Sequence, residues 1–129
     1  MSVSAKPQLL SWIICDGVHI DPSSGKHYLL GVFSSVRVRN FPAKYPRMVW
    51  FLTITDVPVG RHQLKISMGI PTEAEEMIVN RPFESKSPIH RINLINHIQN
   101  LSIKKPGDYS VMIDIDDETL LVTSFPVSA

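Results

Sequence analysis

Strict two-residue alternation, cut at short intervals by proline and glycine, most narrows the folds open to this chain. In Tyr109-Ser-Val-Met-Ile-Asp-Ile115, the side chains of Tyr109, Val111, Ile113 and Ile115 share one side, and Ser110, Met112 and Asp114 the other. Successive side chains of a strand point to opposite faces, so this is a strand with one dry and one wet face. Leu64, Ile66, Met68 and Ile70 repeat the pattern against Gln63, Lys65 and Ser67. Ten prolines and six glycines divide the rest into pieces of strand length, too short for long helices.

The remaining pieces follow the same logic. Leu121, Thr123, Phe125 and Val127 return from the 109–115 strand through an acidic turn at Asp116–Glu118, which makes a hairpin. Met48–Ile54 is apolar on both faces for most of its length, the mark of a central strand. Residues 8–15 and 27–33 read as strands joined across Asp21-Pro-Ser-Ser-Gly25, a run of turn formers. Val36 and Val38 alternate with Arg37 and Arg39 before Phe41-Pro42, as on a short edge strand, and Glu76–Asn80 reads as a further strand. Ile89–Ile103 is ambiguous. Ile92, Ile95 and Ile98 fall at spacing three, yet neither caps nor charge pairs support a long helix, so two short strands or a strand and a turn are expected. Seven to nine short strands and no long amphipathic helix predict an all-β fold, a two-layer antiparallel sandwich. The 129 residues make one domain, with 1–7 as a flexible lead-in.

Composition narrows the function classes. An apolar share of 43% is enough for a buried core, and 19% charged residues argue against disorder. Thirteen basic and twelve acidic side chains nearly cancel, so no field strong enough to recruit nucleic acid or anionic lipid is expected. Cys15 is the only cysteine, which rules out an internal disulfide and suits a reducing cytoplasm. The apolar Leu9–Cys15 run is short for a signal peptide, and Asp16 follows it with no cleavage site of small residues. No apolar run approaches the ~20 residues that span a bilayer, so no membrane insertion is expected.

Two stretches carry a resemblance. One is Cys15-Asp16-Gly-Val-His-Ile-Asp21-Pro-Ser-Ser-Gly25-Lys26 followed by Leu30-Gly31-Val32-Phe33 and Phe41-Pro42; the other is Pro106-Gly107-Asp108-Tyr109 with its hairpin. Together they resemble a family of small bacterial β-sandwich proteins of unknown function, over most of the chain. The resemblance implies a fold and hands over no catalytic residue. Where that family favours Asp-Gly in the last turn, this chain has Asp116-Asp117, which leaves the turn type open.

Candidate chemistry is sparse. His19-Ile20-Asp21 would put a histidine and a carboxylate on one strand face, and His62, His90 or His97 could complete a facial metal site. The plainer reading has Asp21 capping the turn at Pro22–Gly25 with His19 solvated. Asp114, Asp116, Asp117 and Glu118 crowd one hairpin tip, as a weak calcium site would, but their spacing fits no EF-hand loop. Arg37, Arg39, Lys44 and Arg47 interleave with Phe41 and Tyr45, a pattern that serves base stacking or, more plainly, protects an edge strand from promiscuous pairing. Nucleophile elbows, phosphate loops and paired-cysteine motifs are missing, and Cys15 sits in an apolar run where thiols are inert. The expected function is therefore a noncatalytic protein-interaction module, a subunit or adaptor of a larger bacterial assembly, with no cofactor. It would bind a protein partner or itself through Val36, Arg37, Val38, Arg39 and Phe41. The alternative is a small jelly-roll metal-binding protein or metal-dependent enzyme using His19 and Asp21.

Overall fold

The computed structural model describes residues 6–70 and 73–129. Among them there is no helix, and the strands are β1 (Gln8–Cys15), β2 (Gly17–Ile20), β3 (His27–Leu30), β4 (Val36–Arg37), β5 (Ala43–Thr55), β6 (Gly60–Gly69), β7 (Glu76–Ser85), β8 (Ile92–Ile103), β9 (Gly107–Ile115) and β10 (Glu118–Ser128). The all-β expectation holds. The strands number ten rather than seven to nine, and they form three sheets. One sheet runs β1-β5-β8, a second β4-β10-β9-β6-β7, and β2-β3 is a two-stranded ribbon. Pairing is antiparallel except for β4, which lies parallel to β10 through Val36–Val127 and Arg37–Ser128. Of the lead-in expected at 1–7, residues 1–5 lie outside the described part, and Lys6 reaches Glu118 at 3.6 Å.

The alternation read from the sequence defines the core. Leu64, Ile66 and Met68 of β6 and Tyr109, Val111, Ile113 and Ile115 of β9 are buried side by side, while Gln63, Lys65 and Asp114 point the other way. Trp50, Leu52 and Ile54 of β5 meet this layer from the three-stranded sheet, with the Trp50 and Phe125 rings 6.2 Å apart. Each fully buried Leu, Ile or Met stabilises the fold by about 1.5–3 kcal/mol relative to exposure. The Trp50 indole N–H, stranded among apolar neighbours, donates to the Met48 sulfur at 3.0 Å.

Strand β5 is central in its sheet, and the reason for its two apolar faces is now specific. Val49 and Phe51, on the face turned away from the core, are only 1% and 8% exposed. The β2-β3 ribbon lies over that face, with the His27 ring 5.5 Å from Phe51. The ribbon departs from β1 at Asp16, whose N–H donates to the Leu30 and Gly31 carbonyls. Gly31 permits this bend: its φ is 68°, and a Cβ there would collide with the Asp16 carboxylate.

One segment departed from expectation, and the turn left open by the sequence is now defined. Ile89–Ile103 contains a single strand of 12 residues. Its inward residues are Leu94, Asn96 and Ile98, then Leu101 and Ile103, and the change of phase falls at Asn100, whose φ is 52°. Ile92 and Ile98 lie on the inward face and the half-buried Ile95 on the other, so the spacing of three that resembled a helical turn comes from a strand apolar on both faces. At the last turn, Asp116 and Asp117 have φ of 51° and 66°, the signature of a type I′ hairpin made without glycine.

Candidate functional site

Strand β4 is the outer strand of the five-stranded sheet. Val36 is 3% exposed and fills the core beside Val127, which anchors the strand. The Val38 N–H donates to the Ser128 carbonyl at 2.9 Å, carrying the ladder one residue past β4. Backbone groups of alternate residues face opposite edges, so Val36 and Val38 turn theirs to β10 and Arg37 presents its own outward. Of the residues expected at a partner surface, Val36 is therefore buried, and Val38 and Phe41 are half-buried against the core. Only Arg37 and Arg39 offer exposed side chains. Among the described residues, neither these nor Lys44 has a carboxylate within 4.0 Å. Phe41 and Tyr45 are half-buried against the core, with the Phe33 ring 6.1 Å from that of Tyr45.

The other open edges of the two larger sheets are blunted. Because Ser128 turns its carbonyl to β4, Pro126 two residues earlier faces the same side and offers no donor there. Pro82 does the same for β7, the opposite edge of that sheet. Strand β1 carries a bulge between Leu9 and Ser11, and Phe33 bridges Ile14. The Arg81 guanidinium plugs the middle of β8, donating to the Ile95 carbonyl at 2.9 Å and to Asn96 Oδ1 at 3.4 Å. Asn96, buried in the core, passes the connection to the Trp50 carbonyl at 3.0 Å.

The metal candidates do not converge. Asp21 accepts hydrogen bonds from the Ser23 N–H and the Ser23 and Ser24 hydroxyls, which hold its carboxyl below the ordinary value. His19 stands across from Tyr28 with ring centroids 6.0 Å apart, and His62 is committed elsewhere. At the acidic turn, Asp116 pairs with His62, Asp117 with Lys65 and Glu118 with Lys6. Asp114 lies on the outer sheet face, with Oδ1 buried and unpartnered. Among the described residues, no three His, Cys, Asp or Glu side chains come together as a metal site would require. Cys15 is buried, and burial raises its pKa, which makes the thiol unreactive.

Sequence reasoning missed one charged arrangement, because its partners lie far apart in the chain. The His62 ring has an acceptor at each nitrogen, Asp116 Oδ2 at 2.5 Å and the Pro58 carbonyl at 2.6 Å. A neutral imidazole has one donor, so only the protonated ring satisfies both. Burial works against that charge, but the Asp116 hydrogen bond, the Pro58 carbonyl and the Asp116 charge outweigh it and raise the pKa. Asp116 moves the opposite way: burial pushes it up, and the bonds from His62 and the Gln63 N–H draw it lower overall. The arrangement clasps the hairpin tip to β6 and the β5-β6 loop.

Exposed apolar side chains gather on the outer side of the ribbon. Tyr28 and Leu30, on one face of β3, are 51% and 55% exposed, and Val32, past the bend at Gly31, is 61% exposed. A hollow of about 440 Å³ borders Met68, Glu73, Glu75, Ser102 and Tyr109. Two of its carboxylates are already engaged, Glu73 with Lys105 and Glu75 with the Ser110 hydroxyl.

No curated protein matches the sequence. Among solved structures, the chain is similar to part of a Pseudomonas fluorescens alkylpurine DNA glycosylase, AlkC, bound to DNA containing an abasic-site analogue. The TM-score is 0.57 at 10% identity, over 97% of this chain and 31% of that one. The chain thus spans less than a third of that enzyme, and at such identity the likeness concerns the fold alone. The sequence matches a family model described as a family of unknown function, DUF6941, over residues 10–128. The chain belongs to that family.

Proposed function

We propose that this domain is a noncatalytic protein-interaction module, a subunit or adaptor of a larger assembly, which accepts an extended partner segment along the outer edge of β4. One observation carries the reading. Among the described residues, β4 is the edge of the two larger sheets whose outward backbone, at Arg37, is interrupted by no proline, bulge or side-chain plug. An unpaired row of backbone groups is a template for strand addition, with side chains setting which partner is accepted. The two larger sheets enclose a common core. We read them as the layers of a sandwich, which would hold the β4 edge rigid.

Arg37→Pro tests this reading, because it removes the outward donor while leaving the Val38–Ser128 bond in place. Wild type and variant are compared by light scattering and by capture of partners from the native cell, with melting temperature as the folding control. A folded variant that no longer associates supports the edge. A folded variant that associates like wild type overturns it.

A further inference from the structure

We infer that the segment accepted at β4 is acidic, an extended protein strand carrying carboxylates at alternate positions. This rests on the docking reading above and adds the partner's chemistry. Arg37 and Arg39 are exposed, and among the described residues no carboxylate approaches them within 4.0 Å. The ladder continues through Val38, so Arg37 and Arg39 stand two residues apart, about 7 Å, before the chain bends at Arg39. An added strand has the same repeat, so carboxylates at every second residue would face both guanidiniums at once. Lys44, at the start of β5, adds a third free cation nearby in the chain.

Charge alone would also admit nucleic acid, and the half-buried aromatic residues and the small net charge weigh against it. Binding to single strands needs ring faces open for stacking. Here Phe41 and Tyr45 are both half-buried against the core, so neither ring stands fully open as a stacking platform. The net charge of +1 also supplies little long-range attraction for a polyanion. What remains matches an acidic strand: outward peptide groups for its backbone and guanidiniums for its carboxylates.

The test measures fluorescence anisotropy with three labelled probes on the intact chain. These are an octapeptide alternating glutamate and valine, its lysine-for-glutamate counterpart, and an oligothymidylate. The glutamate peptide should bind and weaken steeply with added salt. Arg37→Glu with Arg39→Glu should lower its affinity at least tenfold, whereas Arg91→Glu, exposed before β8, should leave it unchanged. Both arginines are exposed, so the double variant should melt like wild type. Equal binding of the lysine peptide would overturn the acidic assignment and leave edge docking intact. Failure of both peptides would do the same if Arg37→Pro still abolishes association, and would sink both readings if it does not. Tighter binding of the oligothymidylate, lost in the double variant, would make the surface a nucleic-acid site and overturn the inference.

Discussion

His62 shows how one side chain can tie three segments together through its charge. With Asp116 and the Pro58 carbonyl at its two nitrogens and Phe83 5.7 Å away, the imidazolium holds the β9-β10 tip, the β5-β6 loop and β7. A cation over an aromatic ring adds a further attraction. The pH dependence follows from the two shifts. His62 is raised above 6.5, so its contribution is complete below that value and disappears as pH rises through the higher folded pKa. Asp116 is lowered below 3.8, so its contribution is present above that value and is lost as pH falls through the folded one. The clasp is therefore strongest between these limits. Melting temperature measured across the neutral to mildly alkaline range should fall in a step that His62→Gln lacks, and a wild-type curve parallel to the variant's would refute the protonated ring. Gly31 makes a simpler case. Gly31→Ala places a Cβ against Asp16 at a φ of 68°, so a loss of about 1–3 kcal/mol is expected in denaturant unfolding.

At the scale of elements, period two was legible wherever one face is dry and the other wet. Strands β6, β9 and β10 fall where Leu64–Ile70, Tyr109–Ile115 and Leu121–Val127 placed them, because each alternates against a single core. Ile113→Asp should unfold the domain, since it puts an unpaired carboxylate at a position with no exposure. Asp114→Asn should cost less than about 0.5 kcal/mol, because that residue lies on the opposite face. Equal melting of the two variants would contradict the register. Strand β8 was illegible for a local reason: Ile92 and Ile98 point inward while Ile95, on the other face, completes a spacing of three, and the phase shifts again at Asn100. Candidate sites were harder still. The hydroxyls that engage Asp21 are two and three residues away, and the turn signal at Pro22–Gly25 pointed to that role. Asp116 and His62 are 54 residues apart, and Arg81 reaches Ile95 only because β7 and β8 are brought alongside each other. Such pairings are set by tertiary structure, so no local pattern announces them.

Across the whole molecule, the β2-β3 ribbon is the part least bound to the rest. Two paired strands alone are marginal in water, so its order depends on the surface beneath it. That surface is narrow: His27 on Phe51, with Val18 and Leu29 half-buried alongside. On its other side Tyr28 and Leu30 face solvent and contribute little to holding the ribbon down. Strands β5 and β9, by contrast, are flanked on both edges and carry most of the fully buried side chains. Local opening is cheapest where apolar contacts are few, so ribbon and core should open with different free energies. Native-state hydrogen exchange should find the β5 and β9 amides exchanging only through global unfolding, with a full dependence on denaturant. The amides paired between β2 and β3 should exchange orders of magnitude faster and with little such dependence. Phe51→Ala sharpens the comparison, because it removes the ring beneath His27 and should speed ribbon exchange further than its effect on global stability accounts for. If the ribbon amides in wild type are as protected as those of β9, the ribbon belongs to the cooperative core, and its outer apolar face is as rigid a part of the surface as the β4 edge.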